Sequence, residues 1–168
     1  SCAEVLAKEG YYSQNDQDVF AISSYERSLE AIKKGLFQDE IVPVEIVDKK
    51  GKTTQIITDE EPGKGKLDKI KGLQPVFEKD GTITAANASS INDGAAALTI
   101  TSNQKVQELN ISPICRIISQ ASVAHEPLYF TTAPSKAITK VLQKSGLSID
   151  DIDLFEINEA FSHVVLAT

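Results

Sequence analysis

The chain has 168 residues, 41% hydrophobic and 24% charged, with a formal net charge of −7; this suits one sizeable domain or two small ones and argues against a broad nucleic-acid footprint, which needs clustered Lys and Arg. Two cysteines far apart and two histidines without metal-ligand spacing speak for a reduced, intracellular protein, against a disulfide scaffold and against a zinc site. No apolar run approaches the roughly 20 residues that cross a bilayer, and no signal peptide is visible.

In chain order, residues 3–9 read as the end of a helix closed by Gly10. Ser13 then predicts an N-cap, with Asp16 three residues on and Asp18 near the positive helix end. Val19, Ile22, Tyr25, Leu29 and Ile32 recur at steps of three and four, which predicts one buried face. Lys33, Lys34 and Gly35 predict the stop. Ile41 to Val47 has strand composition, "DKKGK" (Asp48 to Lys52) is a turn, and Thr54 to Thr58 pairs back as a hairpin. Asp59 to Lys71, broken by Pro62, Gly63 and Gly65, predicts an exposed loop and a short helix.

The stretch "TITAANASSINDGAAALTI" (Thr82 to Ile100) is rich in small residues, as suits backbone that lies against something else. Ala95 to Thr101 is expected as a buried strand, Asn103 to Leu109 as a short helix, and Cys115 to Ile118 as the next strand. Thr132 caps a helix with Pro134 in its first turn and an apolar face of Ile138, Val141 and Leu142; Gly146 ends it. Asp153 to Ile157 predicts a short strand and Glu159 onward a helix. This alternation predicts a layered α/β core with parallel pairing.

Several motifs carry little. "GKT" at Gly51-Lys52-Thr53 lacks the glycine a P-loop needs at position 46, where Ile46 stands, so a solvated turn is expected. Cys115, in an expected buried strand, reads as an inert small hydrophobe. His163, on a mostly apolar helix, reads as a packed histidine. The chain contains no Met and stops inside an apolar stretch without a stop signal, so it is expected to be an excerpt of a longer protein.

Two segments are far more specific: "GTITAANASSINDGAAAL" (Gly81 to Leu98) and "IDLFEINEAFS" (Ile152 to Ser162). With "NDQDVFAISSYERS", "FQDEIVPV" and "HEPLYFTTAP" in the same order, they resemble the thiolase family over essentially the whole chain. The resemblance implies layered α/β/α core halves plus part of an inserted α+β loop domain. Residues 1–80 would be the later part of that loop domain, 81–112 the end of the N-terminal half, and 113–168 the truncated start of the C-terminal half.

It also implies an acyltransferase that interconverts two acetyl-CoA with acetoacetyl-CoA plus coenzyme A through an acyl-cysteine. Within the family the alternative is a thiolase of broader 3-ketoacyl chain length; outside catalysis, it is a thiolase-like acyl-CoA or lipid-binding protein. Asn158 matches the asparagine that positions an oxyanion-hole water; from the residues alone it reads as a helix N-cap. Glu159 either orients that network or is a first-turn helix acid. Ala85 and Ser89 match contacts to the pantetheine arm; the other reading is a tight strand entry packed on a helix.

Lys64 and Lys69 match positions near the nucleotide end of coenzyme A, or are ordinary surface lysines. Tyr25 and the backbone of Ala85, Ala86 and Ala88, around Asn87, match a potassium site in some members; Tyr25 also fits plain packing on its helix face. The resemblance implies a coenzyme A thioester substrate, no required cofactor beyond possible potassium, a homo-oligomer, and a mitochondrial or cytoplasmic location. The family's catalytic cysteines and histidine match none of Cys2, Cys115, His125 and His163, so the excerpt alone is expected to be inactive.

Overall fold

The computed structural model describes residues 1–10 and 12–168. Helix α1 (Cys2–Glu9) is followed by the long helix α2 (Gln14–Lys34). The start of α2 is a reciprocal cap. The Asp16 amide donates to Ser13 Oγ at 3.2 Å, and the Ser13 amide donates back to Asp16 Oδ2 at 3.1 Å. Gly35 ends the helix at φ +66°, a left-handed conformation that a glycine adopts without a Cβ penalty.

The expected apolar face of α2 is not its most buried one. Gln17, Asp18 and Ala21 are buried, while Val19 is 51% exposed. Two polar side chains can occupy the interior because both are paired there. Gln17 Nε2 donates to Thr82 Oγ1 at 2.8 Å, and Asp18 Oδ1 accepts from Asn87 Nδ2 at 2.9 Å.

The hairpin forms as the sequence predicts, with strands β1 (Val44–Val47) and β2 (Thr53–Ile56) antiparallel and Val44 opposite Ile56. Asp48 Oδ1 shapes its turn by accepting from the amides of Lys50 and Lys52 at 2.8 and 2.9 Å. Helix α3 (Glu61–Lys64) and a 3₁₀ turn at Leu67–Gly72 follow, and the turn seats Ile70 in the core. Helix α4 (Asn103–Leu109) lies where expected, capped by Ser102 Oγ. A 3₁₀ turn at Pro127–Thr132 leads into α5 (Ala133–Ser145), closed by Gly146 at φ +71°.

Three expected strands do not form ladders. Residues 95–101, 115–118 and 153–157 carry no strand, and the chain's one sheet among the described residues is the hairpin. Leu98, Ile117 and Leu154 are 89%, 67% and 88% exposed. A strand exists only through its neighbours' hydrogen bonds, and none lies alongside these segments. Cys115 is likewise exposed, against its reading as a buried thiol.

The last helix, α6 (Ser162–Leu166), begins three residues after the expected start. Residues 160–162 instead bond across to residues 87–89: the Ser162 amide donates to Asn87 O and the Ser89 amide to Ala160 O, both at 2.9 Å. These bonds make an antiparallel bridge between Ala88 and Phe161 and hold the backbone out of the helix. Asn158 is therefore not a helix N-cap, and Glu159 is not a first-turn acid.

The core sits where α1, α2 and α6 meet residues 82–84. Ile83 is fully buried, and Ala3, Ala7, Ala21 and Val164 are buried on the three helices. Small side chains let the three helices approach closely. Glu4, fully buried on α1, accepts from the Ile83 amide at 3.1 Å and from the Thr82 amide and hydroxyl at 3.1 and 3.2 Å.

Candidate active-site groove

The bridge between residues 87–89 and 160–162 closes one wall of a groove of about 240 Å³. Its other wall is one face of α2, with Ser24, Tyr25 and Ser28 at helical spacing and Ala21 one turn earlier. Ala86, Ala88 and Ser89 line it from the small-residue loop, and Asn158 and Glu159 from the segment before α6. Residues more than 130 positions apart in sequence thus share one surface.

A second cavity, about 290 Å³, shares Tyr25, Glu61 and Ala86 with the first and continues past Ala85 to Lys64 and Lys69. Every site residue expected from the sequence lines one or both cavities. Asn158 and Ser89 lie in the first cavity, and the lysines lie in the second. Lys64 also reaches Glu60 Oε2 at 3.1 Å along its own helix, an exposed pair.

Asn158 is exposed at the groove and also lines a third cavity against Phe130, Ile138 and Ile157. Its neighbour Glu159 accepts from Ser24 Oγ at 2.5 Å, which fixes the carboxylate against α2. The Ser89 hydroxyl makes one long local bond, 3.4 Å to Ser90 O, and is exposed to an incoming ligand. Burial, then the adjacent Glu61 carboxylate, pushes the Tyr25 hydroxyl above its ordinary pKa, so it stays protonated at neutral pH.

The backbone carbonyls of Ala85, Ala86 and Ala88 accept no backbone hydrogen bond among the described residues. With the Tyr25 hydroxyl they offer neutral oxygens, the donor type a hard cation takes, and Glu61 adds a negative charge nearby.

The sequence reading missed Ser24, Glu61, Asn92 and the buried groups beneath the loop. Ser24 carried a signal in its spacing of four from Ser28 and its place beside Tyr25; Glu61 sat in an acidic run with no further mark. His163, expected from the sequence as a packed histidine, is fully buried and stacked on Phe161 at 5.4 Å. Gln17 Nε2 is committed to donating, so its Oε1 faces His163 Nδ1 at 3.3 Å, which makes Nδ1 the protonated nitrogen. Nε2 has no hydrogen-bond partner among the described residues. Burial holds this imidazole below its ordinary pKa, with Glu4 opposing. Burial also pushes the Asp18 carboxyl up, against the lowering effect of its Asn87 bond.

Comparison with known proteins agrees along the whole chain. The family model "Thiolase, N-terminal domain" matches residues 1–104, and "Thiolase, C-terminal domain" matches residues 111–168. Acetyl-CoA acetyltransferase of Yarrowia lipolytica is 50% identical over 167 residues, 99% of this chain and 42% of that protein. Mitochondrial acetyl-CoA acetyltransferase of Mus musculus is 47% identical over 169 residues, 99% of this chain and 40% of that protein. Among solved structures, the Bacillus anthracis acetyl-CoA acetyltransferase superposes with a TM-score of 0.94 at 38% identity, covering 99% of this chain and 42% of that one. Human mitochondrial 3-ketoacyl-CoA thiolase gives 0.90 at 39% identity with the same coverage. The chain therefore spans about two fifths of the length of the relatives it matches.

Proposed function

This chain belongs to the thiolase family, with that family's α/β fold, and we propose that the protein it forms part of is an acetyl-CoA C-acetyltransferase. The reaction joins two acetyl-CoA into acetoacetyl-CoA and coenzyme A, or runs in reverse, through an acyl-cysteine. The observation that carries this reading is the convergence of Asn158, Ser89, Ala88 and Tyr25 on one groove. A coenzyme A thioester presents a long, thin pantetheine arm. Alanines at 85, 86 and 88 leave room for it, and the Ser89 hydroxyl hydrogen-bonds its amides.

Claisen chemistry develops negative charge on a thioester oxygen as the enolate forms. The Asn158 carboxamide supplies an oriented donor, directly or through a water; removing one such donor costs about 10²–10³ in rate. Glu159, held by Ser24, orients that network. Lys64 and Lys69, beyond Ala85, neutralise the phosphates of the nucleotide end. Tyr25 and the carbonyls of Ala85, Ala86 and Ala88 would hold potassium, whose positive charge stiffens the loop. No further cofactor is required.

We propose the domain division at 80 and 112, homo-oligomeric assembly, and a mitochondrial or cytoplasmic location on the resemblance alone. The acyl-carrying cysteine and its histidine are not among Cys2, Cys115, His125 and His163, so the 168 residues by themselves are inactive.

Thiolysis of acetoacetyl-CoA by the full-length protein tests the activity; an intact, folded enzyme without it refutes the reading. The likeness to the human 3-ketoacyl-CoA thiolase keeps a broader chain length as a second reading. A series of 3-ketoacyl-CoA substrates separates the two, because the first predicts a steep fall beyond four carbons.

A further inference from the structure

We propose that Asn87 is a positioning residue that holds the two lips of the groove in register, with Asp18 of α2 as its anchor. The proposal rests on the acyl-transfer reading and names a residue that acts by holding the walls of the site in place. Asn87 borders the groove but is only 3% exposed, and Asp18 is 1% exposed, so the Asn87 carboxamide is spent on its protein partners.

Every hydrogen-bonding group of the Asn87 carboxamide is used. Its Nδ2 donates to Asp18 Oδ1 at 2.9 Å and to Thr82 O at 3.1 Å, and its Oδ1 accepts from the Thr84 amide at 2.8 Å. The first bond fastens the small-residue loop to α2, and the other two tie the loop to itself at Thr82 and Thr84. The Asn87 main-chain carbonyl then accepts from the Ser162 amide at 2.9 Å. One residue thus fixes the loop wall through its side chain and the Asn158–Ser162 wall through its backbone. The Thr84 hydroxyl adds a bond from the Ala86 amide at 3.3 Å, which braces the same turn.

No shorter or apolar side chain can replace this set. Alanine strands the buried Asp18 carboxylate with Gln14 Nε2 at 3.4 Å and leaves the Thr84 amide unpaired. Aspartate sets two carboxylates face to face. In either case the loop loses its Asp18 link and keeps only the Gln17–Thr82 bond to α2, and Ser89 moves relative to Asn158. Misplacing reacting groups by about 1 Å costs on the order of 100-fold in rate.

The experiment uses the full-length enzyme in the thiolysis direction, with unsubstituted protein assayed alongside. Asn87→Ala is expected to lower kcat, counted per folded enzyme with the folded fraction measured by circular dichroism, by about 30- to 100-fold while KM for acetoacetyl-CoA changes by less than about 3-fold, the pattern of a contribution made in the transition state. Asn87→Asp is expected to be at least as impaired. Adding Asp18→Asn to it restores an amide–carboxylate pair in the reversed sense and recovers at least about tenfold in kcat.

A folded Asn87→Ala enzyme with unchanged kcat and KM overturns the proposal, and so does a folded double variant that recovers nothing. Should Asn87→Ala fail to fold, the comparison of Asn87→Asp with the double variant decides. Inactivity of the unsubstituted enzyme counts against the acyl-transfer reading instead.

Discussion

His163 adds to the acid sensitivity of this fold. Its imidazole is neutral and buried, with its ordinary pKa near 6.5 depressed chiefly by burial. The unfolded chain therefore takes up this proton first as pH falls. Stability is fully present above about pH 6.5 and is lost as pH drops through the depressed folded value. Glu4 faces the ring from α1 and tempers the loss; Gln17, from α2, is uncharged. Asp18 works in the opposite sense, since its raised pKa relieves a burial penalty as pH falls toward 3.8. His163→Leu in the full-length protein isolates the imidazole: denaturant midpoints at pH 7.5 and 5 are expected to differ less in the variant than in the parent. Equal acid sensitivity of the two would show that His163 does not carry it.

At the same scale, Gly81 is a position defined by packing. A Cβ there would lie 2.3 Å from Glu4 Oε1 and 3.0 Å from the Glu78 carbonyl. Glu4 cannot swing aside without abandoning the Thr82 and Ile83 amides. Gly81→Ala is expected to destabilise by about 1–3 kcal/mol, whereas Gly72→Ala, with nothing within 4 Å, stays within about 0.5 kcal/mol. Thermal unfolding of the pair checks the contrast.

Helix α2 is the element the sequence describes best and also the one it misdescribes in part. Its ends were legible because caps are local: Ser13 with Asp16, and Gly35 after Lys33 and Lys34. Ser13→Ala is expected to cost about 1 kcal/mol, read as a lowered unfolding midpoint with an unchanged m-value. The buried face was not legible, because Gln17 and Asp18 enter the interior through partners 65 and 69 residues away. Hydrophobic spacing has no means of encoding that pairing. The start of α6 was missed for the same reason, since the bonds that delay it come from residues 87 and 89. Turns, hairpin and α4 were legible because Asp48, Gly51, Ser102 and Asn110 act within a few residues of themselves.

Over the whole molecule, the apolar segments expected as strands lack neighbours in a chain that spans about two fifths of its relatives. Leu98, Ile100, Ile114, Ile117 and Leu154 are each two thirds or more exposed. Exposed apolar surface on this scale drives association. The isolated 168 residues are expected to bind a hydrophobic dye and to scatter light at micromolar concentration, while the full-length protein does neither. A monodisperse, dye-silent fragment would show that these segments find cover within the chain. The groove was partly legible through resemblance, which put Asn158, Ser89 and Tyr25 on a common task. That Ser24, Glu61 and Asn87 join them follows from packing alone.

The two amide links that seal Ala88 to Phe161 join stretches lying on opposite sides of the exposed region 110–118. A polypeptide severed in that region would carry one lip of the groove on each piece. Slowed deuterium uptake at Ser89 and Ser162 on mixing the pieces would then signal reassembly, which makes this seam a natural readout for split-protein complementation.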